Sequence, residues 1–211
     1  IRRLTVADLT EVAFGSFYEP QWDALARFLA EADAASRAVR PRAAAQTVVE
    51  DAFPAVFCAD WALPVDGYPD YAAHLARLRL RAPQMRASPL ALAGVVGCLG
   101  WPSPVRNPQR RAAPAAVPTL LVNARHDPAT PYAWARSVAA QLGPRAALAT
   151  YDGWGHVVYG RTPCVTGLVD RYLIDLRRPA TGARCPGVVP DPFGVGRRPA
   201  ARGRADRPFG G

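Results

Sequence analysis

At 211 residues, half of them hydrophobic, the chain can bury one full core with a smaller unit beside it. A formal charge of +9 invites a nucleic-acid reading, but eight arginines against two aspartates from Arg177 onward carry +6 of it, which leaves residues 1–176 near balance and argues against a nucleic-acid partner. Every basic residue is arginine, a bias that points to genome composition rather than phosphate recognition, and the longest apolar run, Pro89 to Leu99, is too short to span a bilayer.

Ile1 opens the sequence and Met85 is its single methionine, so the chain reads as a processed or partial product. From Leu4 to Ala38 the pattern is helical and amphipathic. Trp22, Leu25, Ala26 and Leu29 recur at i, i+3, i+4 and i+7, the spacing of one buried helix face. Pro20 suits the start of that helix, where a missing N–H costs nothing, and Tyr18 is placed to pack back on its first turn. A short apolar run, Ala55 to Trp61, lies between Pro54 and Pro64. Further on, Tyr71, Leu75 and Leu78 share a face of a helix over Tyr71 to Leu80. This half reads as a helical layer. Five prolines, with Arg106, Arg110 and Arg111, then make Pro102 to Pro118 an extended connector and the candidate boundary.

Past the connector the pattern changes. Val117 to Ala124 is a continuous apolar run, as a parallel strand buried on both faces requires. Arg125-His126-Asp127-Pro128 is a polar loop, and Thr130 and Pro131 read as the N-cap and first residue of a helix. Trp134, Val138 and Leu142 form that helix's apolar stripe, and Gly143-Pro144 ends it. Ala146 to Tyr151 is a second strand, Gly153-Trp154-Gly155-His156 a glycine-rich turn, and Pro163 to Leu176 a closing helix. Strand, acid loop, helix, strand, histidine loop, helix is an α/β order. From Pro186 to Gly211 Pro, Gly and Arg dominate, with too few apolar groups to offset the ordering entropy, so disorder is expected after Cys185. The expected divisions are a helical cap over 1–110, an α/β core segment over 111–185 and a tail over 186–211.

Cys58, Cys98, Cys164 and Cys185 allow three pairings, and none stands in a Cys-x-x-Cys spacing that would favour zinc. Pairing neighbours in sequence gives Cys58–Cys98 and Cys164–Cys185, closing separations of 40 and 21 residues, and implies an oxidising compartment. Four buried free thiols are the alternative.

Asp127 and His156 each follow a predicted strand, on consecutive units, and catalytic groups of open α/β sheets gather at the carboxyl ends of the strands. Adjacent strands lie about 4.8 Å apart, so the two loops can bring carboxylate to imidazole. A carboxylate accepting from Nδ1–H fixes the tautomer and stabilises the imidazolium, and the other nitrogen is left to take a proton from a serine hydroxyl. Against this stand a capping role for Asp127 and a turn role for His156. His126 is the rival base, and His74, in a helical pattern, reads as packed or solvated.

The string Pro118-Thr119-Leu120-Leu121-Val122 with Asp127-Pro128-Ala129-Thr130-Pro131, followed by Gly153-Trp154-Gly155-His156, Tyr159-Gly160, Pro163-Cys164 and Cys185, resembles the C-terminal segment of α/β-hydrolases. More narrowly it is similar to the tripeptidyl aminopeptidase-like and proline iminopeptidase-like secreted serine peptidases, through their TAP-like C-terminal domain. The resemblance covers 117–185 closely and the helical part loosely. It implies the last parallel strands and helices of an α/β-hydrolase sheet behind a helical cap, with the N-terminal core absent. It also implies a Ser-Asp-His triad with Asp127 as acid and His156 as base, no metal or organic cofactor, a peptide substrate, and a secreted or cell-envelope location. Cap acids of such aminopeptidases bind the substrate amine, which makes Asp60 a candidate, though it also reads as a surface or capping acid. Trp154 is a candidate pocket residue or a packing one.

The serine of that fold stands in a Gly-x-Ser-x-Gly elbow ahead of the acid. Ser16, Ser36, Ser88, Ser103 and Ser137 all stand in other contexts. The nucleophile and oxyanion hole are therefore expected upstream of Ile1, and the chain alone is expected to be inactive. An exported exopeptidase is the leading reading. The alternatives are an esterase or other acyl hydrolase on the same fold, since fold does not fix substrate, and a non-catalytic binding fragment.

Overall fold

The structure is a computed structural model that describes residues 4–20, 22–36, 52–63 and 65–189. Its first half is helical: α1 (Val6–Tyr18), α2 (Trp22–Ser36), α3 (Ala52–Asp60), α4 (Tyr68–Arg81) and α5 (Pro89–Cys98). Thr5 opens α1 with a capping box, its hydroxyl accepting from the Asp8 N–H while the Asp8 carboxylate accepts from the Thr5 N–H. The helical stretch expected over Leu4 to Ala38 is two helices, because Glu19 is extended and Pro20 has no N–H to continue the ladder; residues 37 and 38 lie outside the described residues. Tyr18 is the last residue of α1, and its ring meets Phe14 edge-on at 5.4 Å. Of the face expected on α2, Trp22 and Leu25 are half-buried and Ala26 and Leu29 are exposed. The face expected on α4 holds better, with Tyr71, Leu75 and Leu78 all half-buried. The apolar run around Cys58 is helix α3, tied to α5 by the Cys58–Cys98 disulfide. Phe53, Phe57 and Trp61 stack along it at i, i+4 spacing. Residues 99–118 contain neither helix nor strand, as their prolines require.

The second half runs β1 (Thr119–His126), α6 (Tyr132–Leu142), β2 (Ala146–Trp154), α7 (Pro163–Asp175) and β3 (Arg184–Pro186). The strands are parallel in the order β1-β2-β3. Thr119 pairs with Ala146 and Ala124 with Tyr151, after which a register shift brings His126 opposite Trp154. Leu120, Val122 and Ala124 of β1 join Ala149 and Tyr151 of β2, Cys185 of β3 and Val165 and Leu168 of α7 in the core. Side chains alternate along a strand. On the other face the Tyr132 hydroxyl of α6 bonds Thr150, and its ring lies under the Arg125 guanidinium. Helices α6 and α7 therefore cover opposite faces of the sheet.

Two departures bear on the site. The pattern after Arg177 predicts no strand, yet β3 pairs with Thr150–Asp152, held by the Cys164–Cys185 disulfide and an Arg184–Asp152 ion pair. Order also continues beyond Cys185, for the Val188 N–H donates to the Tyr151 hydroxyl; residues 190–211 lie outside the described residues. The second departure concerns β1. Its first four residues are only half-buried, and among the described residues β2 is its one neighbour. Trp134 and Val138, expected to be covered, are 60% and 37% exposed beside that open edge.

Candidate active site

The ends of β1 and β2 lie side by side, and the loops leaving them carry Asp127 and His156. Asp127 folds back on its own loop. Its Oδ1 accepts from the N–H groups of Ala129 (2.8 Å) and Thr130 (2.7 Å), an Asx turn that its position ahead of a proline-led helix favours. Its Oδ2 accepts from the Thr130 hydroxyl (3.0 Å) and from Asn123 Nδ2 (3.1 Å). His156 Nδ1 stands 3.1 Å from Oδ1 and 3.0 Å from Oδ2. The Asp127 side chain is 3% exposed against 30% for His156. Burial alone pushes the Asp127 carboxyl up, but the donors on Thr130, His156, Asn123 and Ala129 together outweigh it and hold the group below its ordinary range. The result is an ionised acceptor with its lone pairs occupied. The capping alternative is realised in part: the carboxylate closes the 127–130 turn, whereas α6 has Pro131 at its N-cap position without a side-chain bond. Thr130, expected to cap that helix, serves Asp127 instead.

His156 leaves β2 through Gly155, whose φ is +107° and where a Cβ would meet the Tyr18 carbonyl oxygen at 2.8 Å. Both facts require glycine. Val157 follows at φ +58°, a left-handed conformation that costs a β-branched residue roughly 1–2 kcal/mol. The His156 N–H donates to the Tyr18 carbonyl (2.9 Å), and the Tyr18 ring meets the imidazole edge-on at 5.3 Å. Burial, then the Asp127 charge, push the Tyr18 hydroxyl up, so it keeps its proton. With Nδ1 committed to Asp127, Nε2 is the nitrogen left to exchange a proton, having no hydrogen-bond partner among the described residues.

The remaining candidates sort by position. His126 stacks on Trp154 (ring centroids 5.3 Å, 20° between planes), while the imidazole on the carboxylate is that of His156. Trp154 also meets Trp22 edge-on at 5.2 Å, and both line a recess of about 360 Å³ with Phe17, His126 and Pro128. A second recess, of about 440 Å³, lies at the open edge of β1 and takes in both Asp127 and His156. Asp60 ends α3 and lines neither recess. His74 bonds Arg77 on α4. Ser16 donates to the Val12 carbonyl, Ser88 caps α5 and Ser137 accepts from Gln141, so these serines serve their helices. No group of three or more metal-ligating side chains occurs among the described residues. The sequence reading missed Asn123 and Thr130 as ligands of Asp127, although an Asp-x-x-Thr spacing is a recognisable Asx-type turn. It had no signal for Tyr18 against His156.

Residues 83–185 match the family described as TAP-like protein. A stretch of 90 residues, 42% of this chain, is 42% identical to serine protease Hip1 of Mycobacterium tuberculosis and covers 17% of that protein. Carboxylesterase B of the same organism is 38% identical over 144 residues, 64% of this chain and 26% of the relative, as is a putative hydrolase of Mycobacterium bovis. The chain thus spans about a sixth to a quarter of the length of these relatives.

Proposed function

We propose, from the premise that residues 83–185 are the C-terminal segment of a TAP-like α/β-hydrolase, that Asp127 and His156 are the acid and base of a Ser-Asp-His triad in an exported serine exopeptidase. The observation that carries this is the buried Asp127 carboxylate, saturated with donors and bonded to His156 Nδ1 at the carboxyl ends of adjacent parallel strands. The serine comes from outside these 211 residues, in keeping with relatives several times longer. It approaches over the recess at the open edge of β1, and this chain alone is inactive. Serine attacks the substrate carbonyl as its proton passes to His156 Nε2; Asp127 stabilises the imidazolium, which then protonates the leaving group. Residues 1–110 serve as the cap and 111–185 as the last part of the core. Trp154 walls the aromatic recess that receives an apolar substrate group, and Asp60 meets the amine of a peptide substrate. Two disulfides suit an oxidising compartment.

One observation favours an ester or other acyl substrate as a second reading: the aromatic recess has no carboxylate in its lining to hold an ammonium group. The test is a protein joining this chain to a serine-bearing portion. A fluorophosphonate probe should label it, and His156→Ala should abolish labelling. Faster turnover of free-amine peptides than of N-blocked esters, lost in Asp60→Asn, supports the exopeptidase. The reverse preference supports the esterase, and full labelling in His156→Ala would remove both.

A further inference from the structure

We infer that Arg161 is a positioning residue for His156, clamping the histidine turn onto the end of α1 so that helix and base are set as one unit. The inference rests on the reading of His156 as the base. Three backbone carbonyls converge on one guanidinium: a terminal nitrogen of Arg161 donates to the Tyr18 oxygen (2.7 Å) and the His156 oxygen (2.8 Å), and its Nε donates to the Val157 oxygen (2.9 Å). The planar fork of arginine suits such a cluster, whereas a lysine ammonium would act as a single point.

Each of the three acceptors has a reason to need it. Tyr18 is the last residue of α1, so its carbonyl has no partner within the helix and sits at the negative end of the helix dipole. The last turn of α1 carries no basic residue, and Arg161, 143 positions away, supplies the cation instead. The other two carbonyls flank the Val157 φ of +58°. Without the guanidinium, Val157 is free to return to an ordinary φ. That rotation turns the 156–157 peptide and carries the imidazole away from Asp127. The Tyr18 carbonyl also accepts from the His156 N–H, so α1 and the turn share one acceptor as well as one cation. Arg161 lines neither recess, so its effect should fall on turnover rather than on substrate binding.

The test uses the serine-bearing protein that carries this chain. Arg161→Met should lower kcat at least about tenfold with KM within about twofold of the parent, and Arg161→Lys should recover part of the loss. Gly155→Ala keeps Arg161 but forces a Cβ against the Tyr18 oxygen (2.8 Å) and the guanidinium (3.0 Å), the centre of the clamp, and should reproduce the kcat loss. Nitrogen-15 NMR reads the base directly, because the chain has only three histidines. The His156 pattern of a protonated Nδ1 should become a mixture of tautomers in the methionine variant, with His74 unchanged. A lower melting temperature with kcat and the His156 pattern both intact would overturn the inference and leave Arg161 a structural contact. Should the methionine variant not fold, unchanged kcat and tautomer in Arg161→Lys and Gly155→Ala together would overturn it equally. Activity surviving in His156→Ala would instead defeat the reading of the base, while the NMR pattern would still report whether Arg161 sets the imidazole.

Discussion

Replacing Asp127 by asparagine keeps the shape of the side chain and reverses the sense of one of its two oxygens. Donors converge on the carboxylate from Ala129 N–H, Thr130 N–H, the Thr130 hydroxyl, Asn123 Nδ2 and His156 Nδ1, at 2.7–3.1 Å. The remaining amide oxygen stays with the two backbone N–H groups, which cannot turn away. The new NH2 then faces Asn123 and His156. Asn123 Nδ2 loses an acceptor in a nearly buried site, which costs about 1–3 kcal/mol of folding stability. His156 must accept at Nδ1 and carry its proton on Nε2, so it can no longer take one from serine. By analogy with other triads the expected fall in kcat is about 10⁴-fold, equivalent to roughly 5.5 kcal/mol at 1.36 kcal/mol per decade. Two assays read this: kcat with a chromogenic ester in the serine-bearing protein, and the imidazole nitrogen-15 pattern of the chain. A loss of less than tenfold, with Nδ1 of His156 still protonated, would refute the reasoning.

Acid stability should follow the same carboxylate. The folded-state value lies below the ordinary one, so the unfolded chain binds the proton first; stability is full above about pH 4 and is lost as pH falls through the folded-state value. Denaturant unfolding at pH 6 and pH 3 checks it, and the Asp127→Asn protein should lose less over that interval. Thr130→Val removes the 3.0 Å hydroxyl bond to Oδ2 and should lower kcat about 10- to 100-fold, the value of one hydrogen bond to a charged group, with KM little changed. Opening Cys164–Cys185 by double serine substitution should cost about 3 kcal/mol in denaturant unfolding, from its separation of 21 residues, and should release amide protection at positions 184 and 185 of β3. Trp154→Ala removes one wall of the aromatic recess and should raise KM for substrates with large apolar groups more than for small ones; equal shifts across a graded ester series would assign Trp154 to packing alone.

Local pattern carried much of this protein. The apolar run ahead of Asp127 is β1, Gly143-Pro144 ends α6, and the glycine before His156 sits at a φ that glycine tolerates. Such features depend on steric and hydrogen-bond preferences within a few residues, which periodicity and turn chemistry report. The sequence also named the pair Asp127 and His156, because strand ends recur wherever a strand period stops at a polar loop. What it could not supply were partnerships between distant segments. Strand β3 has three residues and no apolar alternation, and the disulfide to α7, the Arg184–Asp152 ion pair and pairing with β2 hold it. The stripe of α6 was legible as apolar, but its exposure follows from the open edge of β1, a property of the sheet rather than of the helix. Tyr18 and Arg161 lie 143 positions apart and meet at the backbone of His156 through main-chain carbonyls, which every residue possesses and no pattern marks. Contacts of that kind are decided when the chain closes on itself, by which orphan acceptor comes within reach of which donor.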